Sequence, residues 1–229
     1  MPRHTEEEFE GLKRELVDMA TLAEAAIGHA VRSLLQRDPV LAEQTTRSDS
    51  AINRLELVVD ERCLRMLALY QPEASDLRFI AMALKINNDL ERIGDQAVNI
   101  AERSLELLKE PPLTPLEHIP QLTQLVQTML KQSVDAFVRR DCALAREICR
   151  RDDEVDVLDE RIFHELLTVM VQDRRAITRA VNLILVSRHL ERVADHATNI
   201  AEDVIYLVEG RQIKHNVAAP GHPAAPPAA

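Results

Sequence analysis

Tryptophan is absent from this 229-residue chain, and aromatic residues of all kinds make up 3% of it. Glycines number only 5. A sheet built on alternating aromatic and β-branched residues therefore has little to draw on. An excess of basic charge is missing as well. The 28 Lys and Arg stand against 38 Asp and Glu, for a formal charge of −10. Such a chain is a poor ligand for phosphate backbones, so no nucleic-acid partner is expected; cations, or basic patches on another protein, suit it better. Cys63, Cys142 and Cys149 form no CxxC pair. They fit a reducing cytoplasm and read as small buried hydrophobes. The opening MPRHTEEEFE lacks a basic and apolar signal segment. No uninterrupted apolar run approaches the roughly 18 residues needed to span a bilayer. The expectation is a soluble, cytoplasmic protein that meets a membrane only indirectly, through partners.

What the chain does have is Leu, Ala, Arg and Glu, with 46% hydrophobic residues, the mixture of an all-α protein. Apolar residues recur at helical spacing in six series. Phe9, Leu12, Leu16, Met19, Ala23, Ile27 and Ala30 form the first, and Ile52, Leu55, Val59, Cys63 and Met66 the second. Ile86, Leu90, Ile93, Ala97 and Ile100 make the third, and Leu122, Leu125 and Met129 open the fourth. Val155, Leu158, Ile162, Leu166 and Val169 are the fifth; Leu183, Leu190, Val193, Ala197 and Ile200 are the sixth. Asp38-Pro39 is a cap followed by a proline suited to a first helical turn. Gln71-Pro72 through Ser75, Arg140-Asp141 and Asp173-Arg174 mark further turns. Pro111-Pro112-Leu113-Thr114-Pro115 is the strongest breaker and joins two halves. After Gly210 the chain turns to Pro and Ala with nothing to bury, which predicts a disordered tail over 211–229.

The halves are alike. Between Leu90 and Glu102, nine of thirteen residues recur one hundred positions on. Asp49, Ile52, Leu55 and Glu56 align with Asp152, Val155, Leu158 and Asp159 at an offset of 103. The predicted architecture is a tandem repeat of two antiparallel three-helix bundles, over 5–110 and 115–210.

The repeated phrase carries carboxylates. On a wheel of about 100° per residue, Asn88, Glu91, Asp95, Asn99 and Glu102 form a polar stripe off the core face. Glu91 and Asp95 are one turn apart and repel. Asp49, Asn53, Glu56 and Asp60 edge the second helix. Equal rise in antiparallel helices sets position 49 level with about 97 and 53 with about 93, so that Asp49 and Asn53 flank Glu91 and Asp95. The same reflection sets Asp152 and Asp156 level with Asp195 and Glu191. Each half thus predicts a basket of oxygen ligands. Oxygen ligands suit hard or borderline divalent or trivalent ions such as Fe, Mn or Mg, with carboxylate-bound Zn also possible. Salt bridges from Arg92, Arg103 and Arg192 to a solvated acidic face are the plainer alternative.

Two other chemistries fit less well. A helical di-metal carboxylate enzyme of the ferritin type uses Glu-x-x-His, and no Glu here has His three residues later. A phosphotransfer bundle would use His164, His189 or His196. The first-half equivalents of the last two are Asp89 and Gln96, so these histidines are outside the duplicated set and read as surface residues.

The phrases LERIGD…NIAE and LERVAD…NIAE, preceded by SDSAINRLE and RDDEVDVLDE, resemble those of the PhoU phosphate-signalling regulators, over residues 5 to about 210. The resemblance implies a cytoplasmic negative regulator of the phosphate-starvation response. Such proteins connect a phosphate ABC transporter ATPase to a sensor histidine kinase and control phosphate uptake. It also implies a homodimer, and metal clusters on the repeated acidic motif. Carried over by position, the motif residues are Glu91, Asp95, Glu191 and Asp195, with Asp49, Asn53, Asp152 and Asp156 from the partner helices. Asn53 departs from the pattern, since the second half has Asp156. Asn99, Asn199, Glu102 and Glu202 are possible additional ligands.

Overall fold

The computed structural model describes residues 3–113 and 117–211. The tail predicted over 211–229 therefore falls, from residue 212 on, outside the described residues. Six helices follow in chain order: α1 Arg3–Gln36, α2 Pro39–Tyr70, α3 Ala74–Leu108, α4 His118–Arg139, α5 Cys142–Gln172 and α6 Ile177–Glu209. A single 3-10 turn, Arg174–Ala176, precedes α6. Among the described residues there is no strand, and no helix is long and apolar enough to cross a membrane.

Local chemistry sets the boundaries. Asp38 caps α2 by accepting from the Val40 N–H at 2.9 Å, with Pro39 in the first turn. Asp141 does the same for α5, accepting from the Ala143 and Leu144 N–H groups at 2.9 and 3.0 Å. The two long hairpins close differently. In the first, Gln71 takes a left-handed backbone (φ 44°) to end α2. In the second, Asp173 accepts from the Arg175 N–H at 2.9 Å and starts the 3-10 turn. The extra three residues of the first half are accommodated there, and α3 begins one turn earlier relative to its repeat than α6 does. The end of α3 is held from outside. The Arg37 guanidinium donates to the Leu108 and Glu110 carbonyls, both at 2.8 Å, satisfying acceptors that a helix terminus leaves open.

The predicted apolar stripes all face inward. Leu12, Leu16, Met19, Ile27, Ile52, Ile86, Leu90, Ile93, Leu122, Leu190, Val193 and Ile200 are fully buried. Four helices, α1, α3, α6 and α4, form a central ring in that order. Helix α2 lies in the outer groove between α1 and α3, and α5 in the groove between α4 and α6. Each half is a three-helix bundle, and the halves join mainly through α3 against α6. Cys63 is buried, and burial pushes its thiol up to about 12; Cys149, half-buried, is pushed up to about 11 for the same reason. Both thiols are held protonated and unreactive.

Candidate metal centre

Helices α2 and α3 pack closest where the acidic stripe runs. Gly94 lies between Glu91 and Asp95 in the sequence. A Cβ added there would meet Ile52 Cδ1 at 3.0 Å and Cγ2 at 3.3 Å. The missing side chain lets α2 approach α3 where the charges of Asp49, Glu91 and Asp95 act on one another. The second half has Ala194 at this place, and the smaller Val155 in the repeat position of Ile52.

The expected level pairs come together. Glu91 is raised above the ordinary carboxylate range, first by burial, then by the charges of Asp95, Glu56 and Asp49, against a small opposing effect of Arg92. Asp49 is raised by burial and by Asp95, while the Asn53 amide pulls it down by donating to its Oδ2 at 3.0 Å. In the second half Asp152 is raised by burial and by Asp195, and lowered by the Thr198 hydroxyl, which donates to Oδ1 at 3.2 Å. Glu191 is raised by burial, then by Asp195, with Asp159 and Asp156 adding to it. Asp195 lies open at the groove rim. It too is raised by surrounding atoms, with His196 and Asp156 acting in opposite directions. Each groove holds partly desolvated like charges acting on one another. These interactions fall in two separate sets, one per half.

The surface salt bridges offered as the plainer account are weak. Arg92 reaches its neighbour Glu91 at 3.8 Å and Arg103 reaches Glu102 at 4.0 Å. Arg188 is instead committed to Asp159 at 2.9 Å, which also accepts from the Ser187 hydroxyl at 2.7 Å. Asp159 is thereby satisfied and unsuited to ligation. Among the described residues its first-half counterpart Glu56 has no such side-chain partner, and its charge acts on Glu91, so it joins the first cluster. The spacing of α2 pointed to it, since it shares an edge with Asp49 and Asn53. Asp60 turns away to accept from the buried Asn87 amide at 2.9 Å.

One atom points to a missing ligand. Asp49 Oδ1 is buried and has no hydrogen-bond partner. A buried carboxylate oxygen without a donor is costly unless a cation meets it. The oxygen donors fit a hard cation. The side chains as placed are splayed, however. Among the described residues no three His, Cys, Asp or Glu converge on one ion position. Closure on an ion would require side-chain rotation, which exposure allows at Asp156 and Asp195.

The histidines correct the surface reading. His196 Nδ1 stands 2.8 Å from Asp89 Oδ1, and His189 Nδ1 stands 2.8 Å from Gln96 Oε1. Both histidines are half-buried between α3 and α6. Only His164 is exposed. The Lys85 ammonium pairs with Asp203 at 3.0 Å along the same seam. Asn199, expected among additional ligands, lines a recess of about 390 Å³ at this seam with Lys85, Asn88, Asp89 and Asp203.

Comparison with known proteins agrees with this geometry. The family model described as PhoU domain matches twice, over residues 16–104 and 119–204. A phosphate-specific transport system accessory protein PhoU homolog of Aquifex aeolicus is 45% identical over 91% of this chain and 94% of its own. One from Pseudomonas aeruginosa is 42% identical over 91% of this chain and 86% of its own. The crystal structure of PhoU from Pseudomonas aeruginosa superposes with a TM-score of 0.85, at 42% identity, covering 90% of this chain and 99% of that one. The phosphate transport system regulatory protein PhoU from Streptococcus pneumoniae gives 0.84 at 30% identity, over 91% and 98%. With both repeats matched and the whole helical frame shared, the chain belongs to the PhoU family.

Proposed function

We propose that this protein is a cytoplasmic, non-catalytic regulator of phosphate transport. It acts as a metal-binding adaptor between a phosphate ABC transporter ATPase and a sensor histidine kinase. It restrains the phosphate-starvation response when phosphate is plentiful. The relatives' names as accessory proteins of phosphate-specific transport systems support the transport association. The observation that carries the adaptor reading is the doubled acidic cluster: the same charged groove is built twice and opens outward each time, away from any enclosed cavity where substrate could be turned over.

In this reading Asp49, Asn53, Glu91 and Asp95 hold one ion or ion group, with Glu56 in reserve. Asp152, Asp156, Glu191 and Asp195 hold the other. Fe, Mn, Mg and Zn all accept such oxygen donors. A bound cation would supply positive charge and open coordination positions on each groove. The protein's own part is to keep four acidic helix edges close, half-dry and outward-facing. Docking then shifts a two-state kinase toward its inactive arrangement, which needs only a difference in affinity for the two states. Two copies of the chain form the working unit.

Two measurements test the reading. Deleting the gene should make a phosphate-repressed enzyme constitutive in phosphate-rich medium; repression left intact contradicts the regulator. Protein purified without chelator should carry metal. Glu91→Ala with Asp95→Ala, or the matching pair at 191 and 195, should each remove about half of it.

A further inference from the structure

The end of the molecule that carries the α5–α6 turn combines exposed apolar and basic side chains. Three elements are tied together there. Arg179 donates to the Pro111 carbonyl at 3.0 Å, and Arg37 donates to the Leu108 carbonyl at 2.8 Å. The α1–α2 turn, the end of α3 and the start of α6 therefore make one end face. Large apolar side chains protrude from it. Val171 is 80% exposed, Val40 56%, Val181 43%, and Ile177 and Leu167 42% each. Equal rise in the antiparallel pair sets Val171 level with Ile177 and Leu167 level with Val181. These side chains form an exposed apolar ridge at the tip.

Arg174 and Arg175 sit on the 3-10 turn at the head of that ridge, and both are exposed. Among the described residues no carboxylate stands within ion-pair distance of either. The adjacent Asp173 is occupied in capping the turn. The duplicated hairpin at the opposite end supplies an internal comparison. Its turn also exposes apolar residues, with Leu69 at 66% and Leu77 at 48%. It carries Glu73 and Asp76 where the second turn carries arginines. Only one of the two tips joins apolar residues to unpaired basic ones.

A protruding apolar ridge headed by arginines complements one kind of surface. Apolar tips enter the acyl boundary of a bilayer while guanidinium groups meet the phosphates above it. An anionic bilayer repels a chain of charge −10 in most orientations. It admits this one by a basic apolar tip. We propose that the end face is an interfacial docking surface for an anionic lipid bilayer, with Val171, Ile177 and Val181 inserted and Arg174 and Arg175 at the phosphate level. No spanning segment is needed. The second acidic cluster lies about 30 Å along α5 from this tip, at 1.5 Å per residue, and stays open to protein partners. The inference stands on this end face and not on metal or on the regulator reading, so its failure leaves both in place.

The absence of tryptophan gives a clean probe. Val171→Trp introduces a lone indole at the tip, and Leu69→Trp introduces one at the opposite tip. Full-length protein is mixed with vesicles of phosphatidylglycerol and phosphatidylcholine, or of phosphatidylcholine alone. The emission of the indole at position 171 should shift to the blue with anionic vesicles and stay put with neutral ones; the indole at position 69 should not respond. In co-sedimentation, Arg174→Glu with Arg175→Glu should lower the bound fraction at least about tenfold, as should Val171→Asp with Ile177→Asp. Raised salt should weaken binding. These residues are exposed, and unchanged melting temperatures verify the fold. No shift at 171, an equal shift at 69, or binding indifferent to arginine reversal overturns the proposal. So does self-association, measured by sedimentation without lipid, that Val171→Asp with Ile177→Asp abolishes, since the ridge would then be a contact between copies.

Discussion

His196 of the second repeat and Asp89 of the first meet across the α3–α6 seam at 2.8 Å. Their partners by symmetry are Gln96 and His189, also at 2.8 Å. Positions 89 and 189 are equivalent in the repeat, as are 96 and 196. Each link therefore joins one member of the first pair to one of the second, as an internal two-fold axis requires. Duplication placed polar residues where the halves face each other, and divergence then made the two links chemically unequal.

The unequal links predict unequal energies. A hydrogen bond in which one partner is charged contributes about 1.5–3 kcal/mol, against about 1 for a neutral pair. Asp89→Ala and His196→Ala should show a coupling energy above that of Gln96→Ala with His189→Ala. Urea melts of the two double-mutant cycles measure both. Equal couplings would mean that the Asp89 contact adds no charge assistance.

The acidic clusters oppose folding when no cation is bound. Asp49, Glu91, Asp152, Glu191 and Asp195 are raised above their ordinary values of 3.8 or 4.5. A raised acid binds its proton more tightly folded than unfolded. Stability from these groups is thus present below about pH 4 and is lost as pH rises through their shifted values. Asp152→Asn should raise the melting temperature of chelator-treated protein at pH 7 and have little effect near pH 4. The same change should shrink the gain in melting temperature on adding metal, because binding requires the deprotonated ligand. Calorimetry across pH, with and without chelator, checks both signs.

Much of this was legible in the sequence, for identifiable reasons. Helix positions follow from a 3.6-residue apolar rhythm that burial confirms at Leu90, Ile93, Leu190 and Val193. Simple reflection about two turns placed Asp152 with Asp195 and set Asp49 level with about residue 97, within a turn of the Asp95 that acts on it, because long straight antiparallel helices keep register. Two features escaped. The role of His189 and His196 depends on which faces of α3 and α6 meet, and no local pattern encodes a contact between halves. The satisfaction of Asp159 depends on Ser187 and Arg188 from another helix. Its counterpart Glu56 has the same spacing and a different fate. Gly94 left a signal that went unread, a glycine in mid-helix where alanine is preferred.

Gly94→Ala tests the close approach of α2 and α3. The added Cβ meets Ile52 at 3.0 Å, so α2 or the isoleucine must give by a few tenths of an ångström. Helix propensity favours alanine by about 1 kcal/mol, while overpacking costs about 1–3 kcal/mol. The net effect on stability should be small, from near zero to about 2 kcal/mol of loss. Metal affinity at the first cluster should fall more clearly, since Asp49 and Asn53 ride on the displaced helix. Calorimetric titration of a variant whose second cluster is removed by Glu191→Ala and Asp195→Ala isolates the effect. Unchanged first-site affinity would show that α2 position does not limit ligation.

Asn53 makes the two clusters unequal in charge. Its amide donates to Asp49 Oδ2 at 3.0 Å, and a neutral amide brings one negative charge fewer to the groove than Asp156 brings to its own. Cation affinity rises with the number of carboxylate ligands. Where Glu56 stays off the ion, the first cluster should therefore bind more weakly than the second, and two binding steps should be resolved in a titration of chelator-treated protein. Asn53→Asp removes the donor from Asp49 and adds a charge beside Asp95. It should strengthen the first step by about tenfold, the equivalent of roughly 1.4 kcal/mol, and merge the two steps. It should also lower the melting temperature of the metal-free protein, because a further like charge joins Asp49, Glu56, Glu91 and Asp95. Tighter binding gained at the expense of metal-free stability would mark Asp49, Asn53, Glu91 and Asp95 as a ligand set. A loss of stability without a gain in affinity would leave the first groove an acidic surface that holds no ion.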